Sequence, residues 1–420
     1  MQFRDSRNAI PAAPNLILLP VAAPLDPSDP EVRGREPNIL GLELVQRTVL
    51  AARRAGYGQI FFLTRDPAAP AGTTAIPNWR RLAEILAASQ TTSLIIASAR
   101  ILPETAWLER LAATQVEPAA WVTTSDRLVA LAATAVADAL AALDAQGGAH
   151  DMAAVQDRLI RQFGSAGAIP VEIDPIVVMT AKDIRVAEKR LLGALVKETD
   201  GFMARYVDRR ISLQISRLLA PTAVTPNQMT MLSIAIGVCG AAFFLSQLWW
   251  WQTVGALLFL IHSIVDGCDG ELARLKFQES KYGGILDFWG DNIVHVAMFT
   301  CMAAGWTLAS GMTWPLLLGA AATAGTLASA GLVYWRQMRI KDGHDPLFTS
   351  VSSTPNHRVA RLLDAASRRD FIYLVPVLAL LDKSNWILVS ASLVMPIFFL
   401  LLVFLAVHER LQAEPRRSMA

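Results

Sequence analysis

The sequence predicts two architectures in one chain: an α/β unit with a mostly parallel sheet in its first half, and an all-α unit of about six transmembrane helices in its second. Three observations lead there. Residues 1–200 alternate short β-rich runs with helically spaced apolar residues, and residues 230–410 contain long stretches nearly free of charge. The whole chain is 53% hydrophobic against 18% charged, too apolar for an ordinary soluble protein of 420 residues.

In the first half, 16–20, 59–64, 94–97 and 120–123 are expected to be short buried strands. Between them, 42–54, 79–88 and 105–113 carry apolar residues near a 3.6 period, the βαβ rhythm of a sheet covered by helices. The first twenty residues hold charges and prolines in place of a continuous apolar run, so no secretory signal is expected and the N-terminus is expected to stay in the cytoplasm.

Residues 181–219 follow, rich in paired charges and periodic apolar residues. Arg209, Arg210 and Arg217 stand beside Ile211, Leu213, Ile215 and Leu218, which predicts an amphipathic helix on the membrane surface with arginines toward anionic headgroups. A soluble linker helix is the alternative.

Spans are expected near 230–248, 249–265, 285–309, 312–335, 371–381 and 386–407, the fifth starting earlier, near Arg368. The short connections around Trp249–Trp251 and 311–314 lack Lys and Arg, whereas 336–370 and the C-terminal tail are rich in arginine. Both termini and the polar loops should therefore face the cytoplasm. The expected division is 1–195, a cytoplasmic α/β domain; 196–221, a juxtamembrane helix; 222–410, a membrane domain; and 411–420, a cytoplasmic tail. A net charge of +2 gives no reason to propose a nucleic-acid partner, and Cys239, Cys268 and Cys301 lie in apolar stretches that suit reduced, packed thiols.

Between the second and third spans stands Asp266-Gly267-Cys268-Asp269-Gly270-Glu271-Leu272-Ala273-Arg274, then eight residues, Gly283, three residues, Asp287, three residues and Asp291. Asp266 and Asp269 share one helix face at i,i+3, and Asp287 and Asp291 share another at i,i+4. If the two helices form a hairpin, all four carboxylates converge. Unneutralised anions at that depth repel and lose hydration, so divalent cations are expected, and oxygen-only ligands favour Mg²⁺ or Mn²⁺. Gly270 and Gly283 leave room for close approach, and Arg274 offers a planar fork to phosphate oxygens.

This pattern resembles the motif of the CDP-alcohol phosphotransferase family at every fixed position, and Thr225-Pro226-Asn227-Gln228-Met229-Thr230 resembles that family's PN-x-x-T segment. The resemblance covers roughly 200–410. It implies transfer of a substituted phosphoryl group from a CDP-alcohol, such as CDP-diacylglycerol, to an acceptor hydroxyl with release of CMP. It further implies two divalent ions on Asp266, Asp269, Asp287 and Asp291, with Asp291 also the base, and a CDP pocket lined by Gly270, Ala273, Arg274 and Gly283, with Asn227 and Thr230 beside it. A homodimer in the cell inner membrane, its active site facing the cytoplasm, is implied in the same way. Arg336, Arg339, Arg368 and Arg369 read equally as an acceptor-phosphate site or as topology determinants. His262 and His295 are expected to be packed interior residues, with carboxylate support as the alternative.

The first half resembles a sugar-nucleotidyltransferase domain, as fused to this membrane module in bifunctional inositol-phosphate cytidylyltransferases. Yet Leu19-Pro20-Val21-Ala22-Ala23-Pro24 replaces the Gly-rich phosphate loop, Asn38 stands for the lysine after Pro37, and Ile96-Ala97-Ser98-Ala99 lacks the metal-binding aspartate. A degenerate domain is expected. The alternatives for the chain are a bifunctional enzyme that also makes its CDP-alcohol from CTP, and a catalytically silent membrane scaffold or lipid-binding protein.

Overall fold

The computed structural model describes residues 14–19, 36–66, 69–87, 93–113, 121–124, 128–132, 135–145, 151–164, 167–168, 176–196, 201–340 and 372–417. It divides into two compact units, Met1–Leu191 and Leu192–Ala420.

In the first unit the strands are β1 (Asn15–Leu19), β2 (Asn38–Ile39), β3 (Leu42–Glu43), β4 (Ile60–Leu63), β5 (Thr74–Ile76), β6 (Ser93–Ser98), β7 (Ile101–Leu102), β8 (Trp121–Thr124), β9 (Leu128–Ala132), β10 (Gly167–Ala168) and β11 (Ile176–Val177). The helices are α1 (Leu44–Arg54), α2 (Trp79–Ala87), α3 (Thr105–Ala113), α4 (Val136–Asp144), α5 (Met152–Phe163) and α6 (Ala181–Gly193). Seven strands form one sheet in the order β10-β8-β9-β6-β1-β4-β5. β1 pairs in parallel with β4 and β6, and β4 with β5, whereas β9 runs antiparallel to both β6 and β8. The sheet is thus mixed but mostly parallel. β1 is buried along its whole length, which is why it reads Asn-Leu-Ile-Leu-Leu with no polar alternation. Trp79 and Leu82 of α2 pack with Ile17, Phe61 and Ile96 from the sheet in the core.

Asn38 has a structural task here. Leu40 and Gly41 adopt positive φ between β2 and β3, and the Asn38 side-chain oxygen accepts the Gly41 N–H at 2.9 Å. Nearby, the buried Arg47 guanidinium donates to the Ile39 carbonyl at 2.8 Å, and burial pulls it down to about 10. Residues 20–24 of the replaced phosphate loop lie outside the described residues.

The second unit opens with a π-helical turn, Ala204–Asp208, leading into α7 (Arg209–Leu219), α8 (Pro226–Phe243), α9 (Trp249–Lys276), α10 (Lys281–Ser310), α11 (Trp314–Ile340), α12 (Leu374–Leu380) and α13 (Asn385–Arg417). Four helices among the described residues are long and apolar enough to cross a membrane: α9, α10, Trp314–Arg336 of α11 and Asn385–His408 of α13. The other two expected spans correspond to α8 and α12. α8 opens with Asn227, Gln228 and Thr230 under a Thr225–Gln228 capping box, and α12 has only seven described helical residues, with the segment before Ile372 outside the described residues.

Glycines let these helices touch backbone to backbone. A Cβ on Gly255 of α9 would stand 2.7 Å from the Gly240 carbonyl oxygen of α8, and one on Gly305 of α10 would stand 2.5 Å from the Phe244 carbonyl oxygen. Lipid tails are as apolar as leucine, so such close packing has to supply much of the cohesion. Outward, Leu308, Leu317, Leu393, Leu400 and Phe404 are each more than half exposed, as befits a surface solvated by lipid.

Gly305→Ala should therefore force α10 away from the end of α8. An overpacking cost of about 1–3 kcal/mol is expected. It should be read as a lowered Tm of the detergent-solubilised protein, whereas an unchanged Tm would show that these helices re-space freely.

Candidate active site

The turn between α9 and α10 sets the site. α9 stops at Lys276 because Phe277 turns left-handed, and α10 is started by Ser280, whose hydroxyl accepts the Gly283 N–H at 3.0 Å. Asp269 lies seven residues before the end of α9 and Asp287 six after the start of α10, while Asp266 and Asp291 lie ten from their respective ends. At about 1.5 Å per residue, Asp269 is level with Asp287, and Asp266 with Asp291. α8 packs closely on both arms, whereas the arms make few close backbone approaches to each other, so the carboxylates meet across the space between them.

Asp266, Asp269 and Asp287 each offer an oxygen within 4.8 Å of the others. Asp266 is 3% and Asp269 7% exposed. Three carboxylates this close, with little water to screen them, repel strongly. The donor set is all oxygen and drawn from two helices, which fits a hard divalent cation. Asp269 is further held by the Thr230 hydroxyl and the Gly270 N–H, both donating to it.

Asp291, the fourth predicted carboxylate, is not in that cluster of three. Its Oδ1 lies 3.5 Å from Nε2 of His262, which is 3% exposed. His262 Nδ1 is 2.9 Å from the Ser233 carbonyl oxygen, an acceptor only, so this nitrogen carries a proton and Nε2 is turned to Asp291. The expected packing role thus describes His262 incompletely. His295 fits it better: Nδ1 lies 2.7 Å from the Asp291 main-chain oxygen and its ring meets Phe259 edge-on at 5.5 Å.

A second group of residues escaped the sequence reading. Gly267, Gly270, Glu271 and Arg274 form one stripe of α9 at i, i+3, i+4, i+7, adjoining the stripe of Asp266, Asp269 and Ala273. Glu271 is completely buried. Its Oε1 accepts from Arg209 Nη1 at 2.8 Å and from the Ser212 hydroxyl at 2.6 Å, and its Oε2 from the Ser216 hydroxyl at 2.7 Å. Removing one partner from such a buried charge pair costs about 3–5 kcal/mol. The serines at i,i+4 on α7 were the available signal, but the apolar residues around them dominated the pattern.

Of the other predicted residues, Ala273 is buried and Gly283 is packed against Asn227, whose side-chain oxygen lies 3.1 Å from where a Cβ would be. Arg274 lies over Gly270, its Nη1 3.2 Å from the corresponding Cβ position. Lys276 Nζ reaches the carbonyls of Thr222 and Val224 at 2.8 and 2.6 Å, fastening the end of α9 to the approach to α8. Arg336 is partly buried in α11, while the Arg339 side chain, Arg368 and Arg369 lie outside the described residues.

Residues 223–351 match the CDP-alcohol phosphatidyltransferase family. The chain is 39% identical over 127 residues to a bifunctional IPC transferase and DIPP synthase of Thermococcus kodakarensis, covering 30% of this chain and 28% of that protein. It is 35% identical over 159 residues to a protein of the same name from Rubrobacter xylanophilus, covering 37% and 34%. It thus spans about a third or less of the length of these relatives. A phosphatidylinositol phosphate synthase of Mycobacterium tuberculosis, solved with CDP-DAG bound, aligns at 21% identity and a TM-score of 0.31, over 46% of this chain and 92% of that one.

The Thr230 hydroxyl donates to Asp269, so Thr230→Val should loosen this candidate ligand without removing it. Mn²⁺ affinity, followed by the loss of free-ion signal in electron paramagnetic resonance, should fall about 10–100-fold. Equal affinity in a folded variant would show that the Thr230 hydroxyl does not orient Asp269 for the ion.

Proposed function

We propose that this chain, which carries a CDP-alcohol phosphatidyltransferase domain over residues 223–351, transfers a substituted phosphoryl group from a CDP-alcohol to a hydroxyl acceptor and releases CMP. The observation that carries this is the convergence of Asp266, Asp269 and Asp287 from two helices, within the family's motif.

In this reading Asp266, Asp269, Asp287 and Asp291 hold two divalent ions, Mg²⁺ or Mn²⁺, which when bound neutralise the diphosphate and stabilise charge on the phosphoryl group and the departing CMP. Asp291, poised by His262, takes the proton of the acceptor hydroxyl. The hydroxyl oxygen then bonds to the phosphorus bearing the alcohol as the bond from that phosphorus to CMP breaks. Gly270, Ala273, Arg274 and Gly283 line the donor pocket with Asn227 and Thr230 at its edge. Arg336, Arg339, Arg368 and Arg369 are candidates for an acceptor's phosphate.

The membrane domain, 222–410, is assigned six spans, with α8 and α12 completing the four apolar helices. The protein is a homodimer in the cell inner membrane, with the site, both termini and the 411–420 tail facing the cytoplasm. Exposed Trp249, Trp250, Trp251, Trp314 and Trp386 mark the bilayer boundary at the helix ends opposite the acidic site, and the lack of Lys and Arg at 249–251 and 311–314 on that side supports the orientation. The 196–221 segment lies on the membrane surface. Residues 1–195 form a nucleotidyltransferase-like domain without its chemistry, since Asn38 is engaged in a turn in place of a phosphate-binding lysine.

Purified protein in lipid should release CMP from a CDP-alcohol only with acceptor and with Mg²⁺ or Mn²⁺, and chelation should abolish the release reversibly. Asp291→Asn should lower turnover about 10²–10⁴-fold with folding retained. Wild-type biological function in that variant without turnover would favour a scaffold, whereas wild-type turnover would remove Asp291 as the base. A separate assay addresses the first unit: the full-length protein with CTP and inositol phosphate should release no pyrophosphate, and release would make the protein bifunctional.

A further inference from the structure

Glu271 is a completely buried carboxylate that the proposed chemistry does not use. It lies two residues beyond Asp269 yet is on the neighbouring stripe of α9, and among the described residues its hydrogen-bond partners are Arg209, Ser212 and Ser216 of α7. The Arg209 side chain, held by this ion pair, is 15% exposed, and its Nη1 lies 3.6 Å from where a Cβ on Gly267 would be. Arg274 lies over Gly270 on the same stripe, within electrostatic reach of Arg209, Glu271 and Asp269. Two guanidiniums are therefore laid over the two glycines that flank Cys268-Asp269.

Bringing like charges together is unfavourable unless something holds them and something anionic uses them. Glu271 holds one. Cys268 Sγ lies 3.6 Å from the Ser212 carbonyl, so α7 is seated directly on this stretch of α9. Without Glu271 the long Arg209 side chain would lose the ion pair that holds its Nη1 on this stretch of α9.

We infer that Glu271 is a positioning residue: it fixes α7 on α9 so that Arg209 joins Arg274 in binding the diphosphate of the CDP-alcohol. This rests on the transferase reading of the acidic cluster. It assigns to the surface helix a direct part in donor recognition, beyond membrane attachment, and adds Arg209 to the donor-binding set.

The test is calorimetric binding of CDP to the full chain in detergent with Mn²⁺, together with steady-state kinetics. Glu271→Gln should leave Mn²⁺ binding intact, weaken CDP about tenfold or more, the scale of one charge-assisted hydrogen bond, and raise KM for the CDP-alcohol in proportion with kcat little changed. Arg209→Gln should show the same loss, and the double variant no more than Arg209→Gln alone. A purely structural Glu271 would lower the folded fraction and apparent kcat at unchanged KM and CDP affinity, and that result, or tighter CDP binding, would overturn the inference. Should Glu271→Gln fail to fold, Arg209→Lys carries the test, and unchanged CDP affinity there overturns it. If the wild-type chain with Mn²⁺ binds no CDP, the transferase reading falls and this inference with it.

Discussion

Five carboxylates crowd one end of an apolar helical hairpin, and the placement of the neighbouring helices follows from how each is compensated. Asp266, Asp269, Asp287, Asp291 and Glu271 lie within the second half of α9 and the first half of α10. In so apolar a setting an uncompensated anion is costly, and a row of them more so. α8 answers with the Thr230 hydroxyl on Asp269 and, through the Ser233 carbonyl, with the orientation of His262 toward Asp291. α7 answers with Arg209, Ser212 and Ser216 on Glu271. Formally, five carboxylates against the guanidiniums of Arg209 and Arg274 leave three net negative charges. That deficit is suited to divalent cations, and a cation-loaded site is in turn suited to a diphosphate.

Much of this was legible because helix periodicity is a strong signal. The i,i+3 and i,i+4 spacing of the aspartates placed each pair on one face, and a hairpin of the two helices was the condition for their convergence. Mostly parallel strands were legible from the βαβ rhythm. Strand direction was not: β9 has the same apolar character as β6 and reverses against it, because a buried strand reads alike in either direction. The start of α8 was placed late because hydropathy begins to rise only past Thr230, while the helix is nucleated by the capping box at Thr225. Glu271 was illegible for another reason. It occupies a variable position inside a recognised motif, and its partners lie 55 to 62 residues away in sequence.

The first unit obeys different rules, and its divergent positions bear on what it can do. A lysine at position 38 could reach a phosphate, but Asn38 instead closes a turn whose two central residues have positive φ. Arg47, close in sequence to that turn, is sealed under it and bonded to a main-chain carbonyl. Both side chains are engaged with the local backbone.

The orientation of α7 shows how polar groups rather than apolar ones decide packing beside a membrane. Read as an ordinary amphipathic helix, α7 would bury Ile211 and Leu218 and expose its serines. The structure does the opposite: Ser212 and Ser216 are buried, while Ile211 and Leu218 are 44% and 73% exposed. In water that arrangement would forfeit hydrophobic burial, but against lipid an outward leucine loses nothing. The side that must turn inward is the one whose hydroxyls and guanidinium have a buried anion to satisfy. A single carboxylate on α9 thereby sets the rotation of α7 about its own axis.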